Sequence, residues 1–285
     1  MGNEQRQEIQ EQRTEYSKLF VNEDHSFTRE IYLDAIHYQD DDGKWEEMDD
    51  SLIEEQESVD ENVGDSEAEN TVSLTAENGE TDFGNKKGNW QVKFYKHSRK
   101  QGTISVRKER CMITWALENS EKVTAVEKDN EVLYPDILPG VDDHLYIKGM
   151  TVKENLIIKT AEAGAVFDFA YHTKKLHPVE IDDSVCFIND DEEEVFIVTA
   201  PYMKDASGAR SERISLSLID EGKKDRCKIR FSADEQWLKA AERVYPVAID
   251  PITTTSKKRD EIYDAHVDSR YAVDNFYNSI ILKTR

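Results

Sequence analysis

The stretch NEVLYPDILPGVDDHLYIKGMTVKENLIIK, residues 130–159, decides the fold. It holds three short apolar-rich runs at 132–134, 145–148 and 154–159, and the Pro-Asp and Pro-Gly steps among them are turn makers. The same texture continues in both directions. Upstream, runs at 90–95, 103–106, 111–117 and 123–126 are separated by turn residues; downstream, runs follow at 166–171, 185–189, 195–200, 214–218, 228–231 and 245–249. Short runs at this spacing, with no periodic helices between them, specify antiparallel sheets packed as sandwiches.

The reading is therefore a mainly β protein of two antiparallel β-sandwich-like domains. A length of 285 residues, about twice the usual ~150 of one domain, supports two units. Gly164, after Ala161, Glu162 and Ala163, marks the boundary, giving a first β domain at 21–162 and a second at 163–252. Residues 1–20, Gln/Glu/Arg-rich with Ile9, Tyr16 and Leu19 at roughly helical spacing, predict a short helical arm. A second short helix is expected near 234–243, where Trp237, Leu238 and Ala241 share a side and Ser232 or Asp234 can cap. From Thr253 the polar run TTTSKKRDE reads as a linker into an incomplete β segment that ends at 285.

Charge divides the chain unevenly. The total is -23, and residues 40–70 alone carry 15 acids and one Lys, whereas residues 86–110 carry nine basic residues and one acid, a net +8. Residues 54–70 have too few apolar side chains to offset the entropy of ordering and read as a disordered acidic loop. So acidic a surface repels phosphate backbones and anionic lipid, which argues against nucleic-acid partners. No apolar stretch approaches the ~18 residues of a membrane helix, so membrane insertion is not expected. The start MGNEQRQEIQEQR has no apolar core behind its charges, which predicts no secretory signal at this terminus. Cys111, Cys186 and Cys227 fit neither a CxxC nor a zinc spacing, and their odd number leaves at least one thiol free.

Candidate chemistry is sparse. Asp40, Asp42 and Glu46 around Gly43 invite calcium, but alignment on Gly43 puts Tyr38 in the first ligand position and Asp49 in the last, so a solvated hairpin turn is expected instead. The proline-rich turns at 134–142 read as structural. The histidines at 25, 37, 97, 144, 172, 177 and 266 form no paired-ligand spacing, and Asp143 and His144, being adjacent on a strand, point to opposite faces. There is no GxSxG, no P-loop and no Cys/His signature. No catalytic, cofactor-binding or metal-binding residue is assigned, no cofactor is expected, and the chain is read as no enzyme.

Four sequence pieces carry a resemblance. The hairpin YQDDDGKW at 38–45 with Met48, Asp49 and Leu52, the run YPDILPGVD at 134–142 followed by Leu145, Tyr146 and KENLIIK at 153–159, and APYM at 200–203 with Asp205, Ala206, Trp237, Leu238, Arg243 and YPVAIDP at 245–251 resemble the N-terminal region of bacterial wall-associated and RHS/YD-repeat proteins. Residues 262–267 and 275–282 resemble the opening strands of the DNRLRE-type domain that follows in that family. The resemblance implies a non-catalytic scaffold module of a large surface or secreted protein of the polymorphic-toxin type, extracellular or at the cell surface, although the missing secretory signal leaves a cytoplasmic place open; a monomer is expected. Its partner would be the remainder of a YD-repeat parent. The alternative is a β-sandwich that binds carbohydrate or cell-envelope polysaccharide through exposed aromatics, to be separated by the exposure of Trp45, Trp90, Trp115 and Trp237. Amide exchange tests the acidic loop: residues 54–70 are expected to exchange without protection, and strong protection throughout would show them packed.

Overall fold

A computed structural model describes residues 6–32, 35–40, 42–55, 82–88, 90–100 and 102–255. The remainder of the expected acidic loop and the expected DNRLRE-like segment lie outside the described residues. The fold is mainly β and antiparallel, with a sandwich of two large sheets. An eight-stranded sheet runs in the order Ile214–Lys223, Arg226–Ala233, Val166–Lys174, Cys111–Leu117, Ile104–Lys108, Gln91–Phe94, Asp82–Lys87, Asp49–Glu55. A nine-stranded sheet runs Val126–Lys128, Glu131–Leu138, Val141–Lys148, Thr151–Ile158, Val247–Thr255, Glu194–Asp205, Ser184–Ile188, His177–Ile181, with Arg210–Ser211 beside Glu194–Asp205.

Both sheets draw strands from both sides of Gly164, so the boundary expected at 162/163 does not separate two sandwiches. Cys111–Leu117 pairs with Val166–Lys174 through six residue pairs from Met112↔Lys174 to Leu117↔Phe169. Val247–Thr255 sits between Thr151–Ile158 and Glu194–Asp205. Gly164, at φ +92°, instead ends a short 3-10 turn, Ala161–Ala163, where the chain passes from the nine-stranded to the eight-stranded sheet. Glycine suits that positive φ because it has no Cβ to clash. Turn residues look alike whether they join two domains or two layers, which is why the sequence could not tell these apart.

The two sheets share one core. Val141, Leu145 and Ile147 alternate inward on one strand and Val152, Leu156 and Ile158 on the next, all at most 1% exposed. They meet Ile104, Ile113, Trp115, Phe169 and Ile229 of the opposite sheet. Tyr171 of the eight-stranded sheet lies against Phe187 of the nine-stranded sheet, ring centroids 5.4 Å apart, and stacks on Trp115 at 5.6 Å. All three cysteines are free and buried.

Two local expectations are corrected. The arm at 1–20 is not helical where it is described: Gln7–Glu8 and Ser17–Val21 are strands, joined by a 3-10 turn at Gln10–Gln12, and Ser17–Val21 pairs with Phe27–Ile31. So short a helix would be marginal alone, and the neighbouring strand offers a full ladder. The short helix expected near 234–243 is present as one turn, Glu235–Leu238, capped by Asp234, whose side chain accepts from the amides of Gln236 and Trp237. Thr253, Thr254 and Thr255, expected in a linker, extend the last strand, Thr253 pairing with both Val152 and Val198; β-branched threonines suit a pleated ladder. The Asp-Gly hairpin is present: His37–Gln39 pairs with Trp45–Glu47, Gly43 has φ +76°, and the Asp40 carboxylate accepts from the amides of Asp42 and Lys44.

Ile249 is fully buried on the strand that joins the two halves. An Ile249→Ala change is expected to cost roughly 2–5 kcal/mol in denaturant unfolding, and a loss below about 1 kcal/mol would mean the strand is not part of the core.

Candidate functional site

Strand alternation places two carboxyls where only apolar side chains would be expected. Asp143 takes the inward position between Val141 and Leu145, and Glu154 the one between Val152 and Leu156, on paired strands. Asp143 is fully buried and Glu154 is 3% exposed. The indole N–H of Trp115, from the opposite sheet, donates to Glu154 Oε2 at 3.0 Å. Neither oxygen of Asp143 has a donor of its own. Ionised carboxylates only accept, so the neighbouring Asp143 and Glu154 can bond to each other only while one holds a proton. Burial raises the Asp143 carboxyl to about 7. Burial first, and then the Asp143 charge, push Glu154 well above the ordinary range. The hydroxyl of Tyr134, also inward, donates across the layers to the carbonyls of Tyr95 and Thr103.

The pair is sealed in the core and no polynucleotide or sugar reaches it. What it can do is hold a proton and make stability depend on pH. The strand period placed Asp143 and His144 on opposite faces, as found: His144 points outward, its Nε2 3.1 Å from Glu131. Glu154 reads in the sequence only as part of the run at 154–159, and the period of two from Leu156 and Ile158 puts it inside.

Of the residues from 200 to 251 that carry the resemblance, Asp205, Trp237, Arg243 and Tyr245 gather into a polar lock. Asp205, at the end of Glu194–Asp205, accepts from the Ser207 hydroxyl and amide, the Ala209 amide, the Val244 amide and Arg243 Nη1, the last at 2.7 Å. The Ser207 hydroxyl leads, with backbone amides and Arg243 adding to it, in holding the Asp205 carboxyl far below its usual range. Arg243 also donates to the Trp237 carbonyl, and its guanidinium lies 3.6 Å from the centre of the Trp237 ring. The Tyr245 hydroxyl closes the turn onto the Leu238 carbonyl, and Tyr245-Pro246 is cis. These residues steer the chain from the one-turn helix into the last strand.

The remaining candidates do not converge. Trp90 and Trp115 are core residues and Trp45 and Trp237 are partly covered, so none of the four is a fully exposed aromatic platform. The prolines and Gly140 at 134–142 form a bulge and turn: the Asp136 amide donates to Asp142, and Lys159 bridges Asp136 and Asp142. His97 pairs with Thr124, and His266 lies outside the described residues. The basic tract spreads along Asp82–Lys87, Gln91–Phe94 and Ile104–Lys108, with Lys86 bonded to Asp49 and Arg110 to Asp191. His37, by contrast, is brought beside Glu8 and Glu47, a grouping that positions 8, 37 and 47 gave no sign of.

Compared with curated proteins, the chain is 27% identical over 203 residues to "Wall-associated protein" of Geobacillus stearothermophilus, covering 70% of the chain and 75% of that protein. The chain is similar to bacterial wall-associated proteins. It is also 30% identical over 278 residues to "tRNA(Glu)-specific nuclease WapA" of Bacillus subtilis subsp. natto and to "tRNA nuclease WapA" of Bacillus subtilis, in each case covering 94% of the chain and 11% of the relative. It thus spans about a ninth of the length of these nucleases. No family model and no solved structure matches. The expectations of a non-catalytic scaffold, of no enzyme and of no nucleic-acid partner, with the polysaccharide-binding alternative, are corrected by these relatives, which are named for nuclease action on tRNA.

The paired acids make a pH prediction. In the folded protein they keep protons that the unfolded chain releases near pH 4, so their contribution to stability is fully present below that value and is lost as pH rises through about 7. Asp143→Asn lets an amide donate to Glu154 without a proton. The variant is expected to gain on the wild type by roughly 2–4 kcal/mol between pH 5 and pH 8, measured by denaturant unfolding at both pH values. An unchanged difference would mean the acids are not protonated in the fold.

Proposed function

We propose that the chain is a β-sandwich segment of a bacterial wall-associated protein that acts as a nuclease on tRNA. The observation that carries this reading is the similarity, along 94% of the chain, to proteins named as tRNA nucleases. The activity is assigned to the whole protein, since the chain matches only about a ninth of such a relative. Similarity to a wall-associated protein supports a place at the cell surface. The finer kinship, with RHS/YD-repeat proteins and a following DNRLRE-type domain, rests on the quoted motifs and joins the same proposal.

One surface feature agrees with an RNA partner. Residues 86–110, net +8, lie on three neighbouring strands at one side of the eight-stranded sheet, with Lys87, Lys100 and Arg107 exposed. Local positive charge attracts a phosphate backbone even on an acidic chain. The test is to purify the longer protein that carries this segment from the cell-wall fraction and incubate it with total tRNA. Cleavage of a defined tRNA species is expected. Intact tRNA at excess protein, under conditions where a known ribonuclease cuts, would overturn the reading.

A further inference from the structure

His37 is fully buried, and its Nδ1 lies 2.7 Å from the Thr14 carbonyl oxygen. A carbonyl only accepts, so Nδ1 carries the ring proton and donates. In the neutral imidazole that leaves a lone pair on Nε2, and this buried atom has no hydrogen-bond partner. Buried polar atoms are nearly always satisfied, and an orphan one asks for an explanation. The ligand atoms of Glu8, His37 and Glu47 all lie within 4.8 Å of one another. Three backbone features bring them together. Glu8 pairs with Phe20 at the edge of the N-terminal sheet, His37 and Glu47 sit opposite each other in the hairpin, and the Ile36 and His37 amides both donate to the Glu15 carbonyl, tying hairpin to sheet.

We propose that Glu8, His37 and Glu47 bind a divalent cation of the zinc class. A histidine whose Nδ1–H is fixed by a carbonyl, with Nε2 presented to the ion, is the usual arrangement of a metal-bound imidazole. One imidazole nitrogen with two carboxylates suits zinc and its neighbours, whereas magnesium and calcium prefer oxygen alone. With ligand bonds of about 2.0–2.2 Å, donor atoms around a tetrahedral ion stand roughly 3.4 Å apart, so from separations of at most 4.8 Å the three atoms need to close by no more than about 1.4 Å. Three protein ligands leave the fourth position to water.

Arg13 and Lys18 already hold the carboxylates. Arg13 meets both oxygens of Glu8, at 2.8 and 3.0 Å, and reaches Glu47 Oε1 at 3.2 Å, where Lys18 also binds. Each carboxylate offers about four acceptor positions, so these cations stay as the outer partners that orient the ligands while another lone pair meets the ion. Their two positive charges make the site weaker than an uncompensated acidic triad. The ion would clamp the hairpin onto the N-terminal sheet.

The experiment uses the whole 285-residue chain, stripped with chelator and titrated with zinc chloride by calorimetry, alongside thermal melts and the visible spectrum of the cobalt(II) form. One ion per chain is expected, with a higher melting temperature, cobalt absorption of low-coordinate type, and no response to magnesium at the same concentration. His37→Ala should weaken binding roughly tenfold or more. Should that variant fail to fold, Glu47→Gln, at a half-exposed position, should do the same. No heat with zinc overturns the proposal, as does binding of wild-type affinity in Glu47→Gln, which would place the ion on other histidines or on the acidic tract.

Discussion

The last described strand, Val247–Thr255, lies in the middle of the nine-stranded sheet, bonded on one side to Thr151–Ile158 and on the other to Glu194–Asp205. Residues more than a hundred positions apart in the chain are thereby joined in one sheet, and the eight-stranded sheet joins the same two halves through Cys111–Leu117 and Val166–Lys174. Apolar burial between the layers supplies the driving force, and this strand adds Val247 and Ile249 to that core. The Asp205–Arg243 lock and the Tyr245 hydroxyl matter for that reason: they fix the entry of the chain into the last strand.

Within this core the Asp143–Glu154 pair is a cost the fold carries. Two carboxyls taken from water lose hydration that one indole N–H cannot replace. The protein avoids the larger cost of two buried charges by keeping protons on them. A buried polar contact of this kind also discriminates between strand registers, since a slip by one residue would send Asp143 to solvent and His144 into the core.

Much of the fold was legible in local pattern. The alternation around Leu145 and Leu156, the Asp-Gly turn at Gly43 and the cap at Asp234 are set by neighbours in sequence, and the motif residues Asp205, Trp237, Arg243 and Tyr245 meet in the lock. The division into layers was not legible. A turn such as the one at Gly164 has the same chemistry whether the next strand pairs beside the last or crosses to the facing sheet, and that choice depends on partner strands more than fifty residues away on either side. The N-terminal arm failed for a related reason, since its sparse apolar residues fit a helix alone and a strand once Phe27–Ile31 is beside them. The grouping of Glu8, His37 and Glu47 follows from a hairpin folding back on that arm, which no spacing reveals.

Function sits at a different scale from fold. The wall-associated relative is matched over most of its length, whereas the tRNA nucleases are matched over about a ninth of theirs. The described strands form one sandwich to which both halves of the chain contribute strands in both sheets. Scanning calorimetry of the chain tests that most directly. One transition whose calorimetric and van't Hoff enthalpies agree is the expected result, with residues 1–162 alone showing none. Two resolved transitions, or a cooperative melt of the 1–162 fragment, would contradict it.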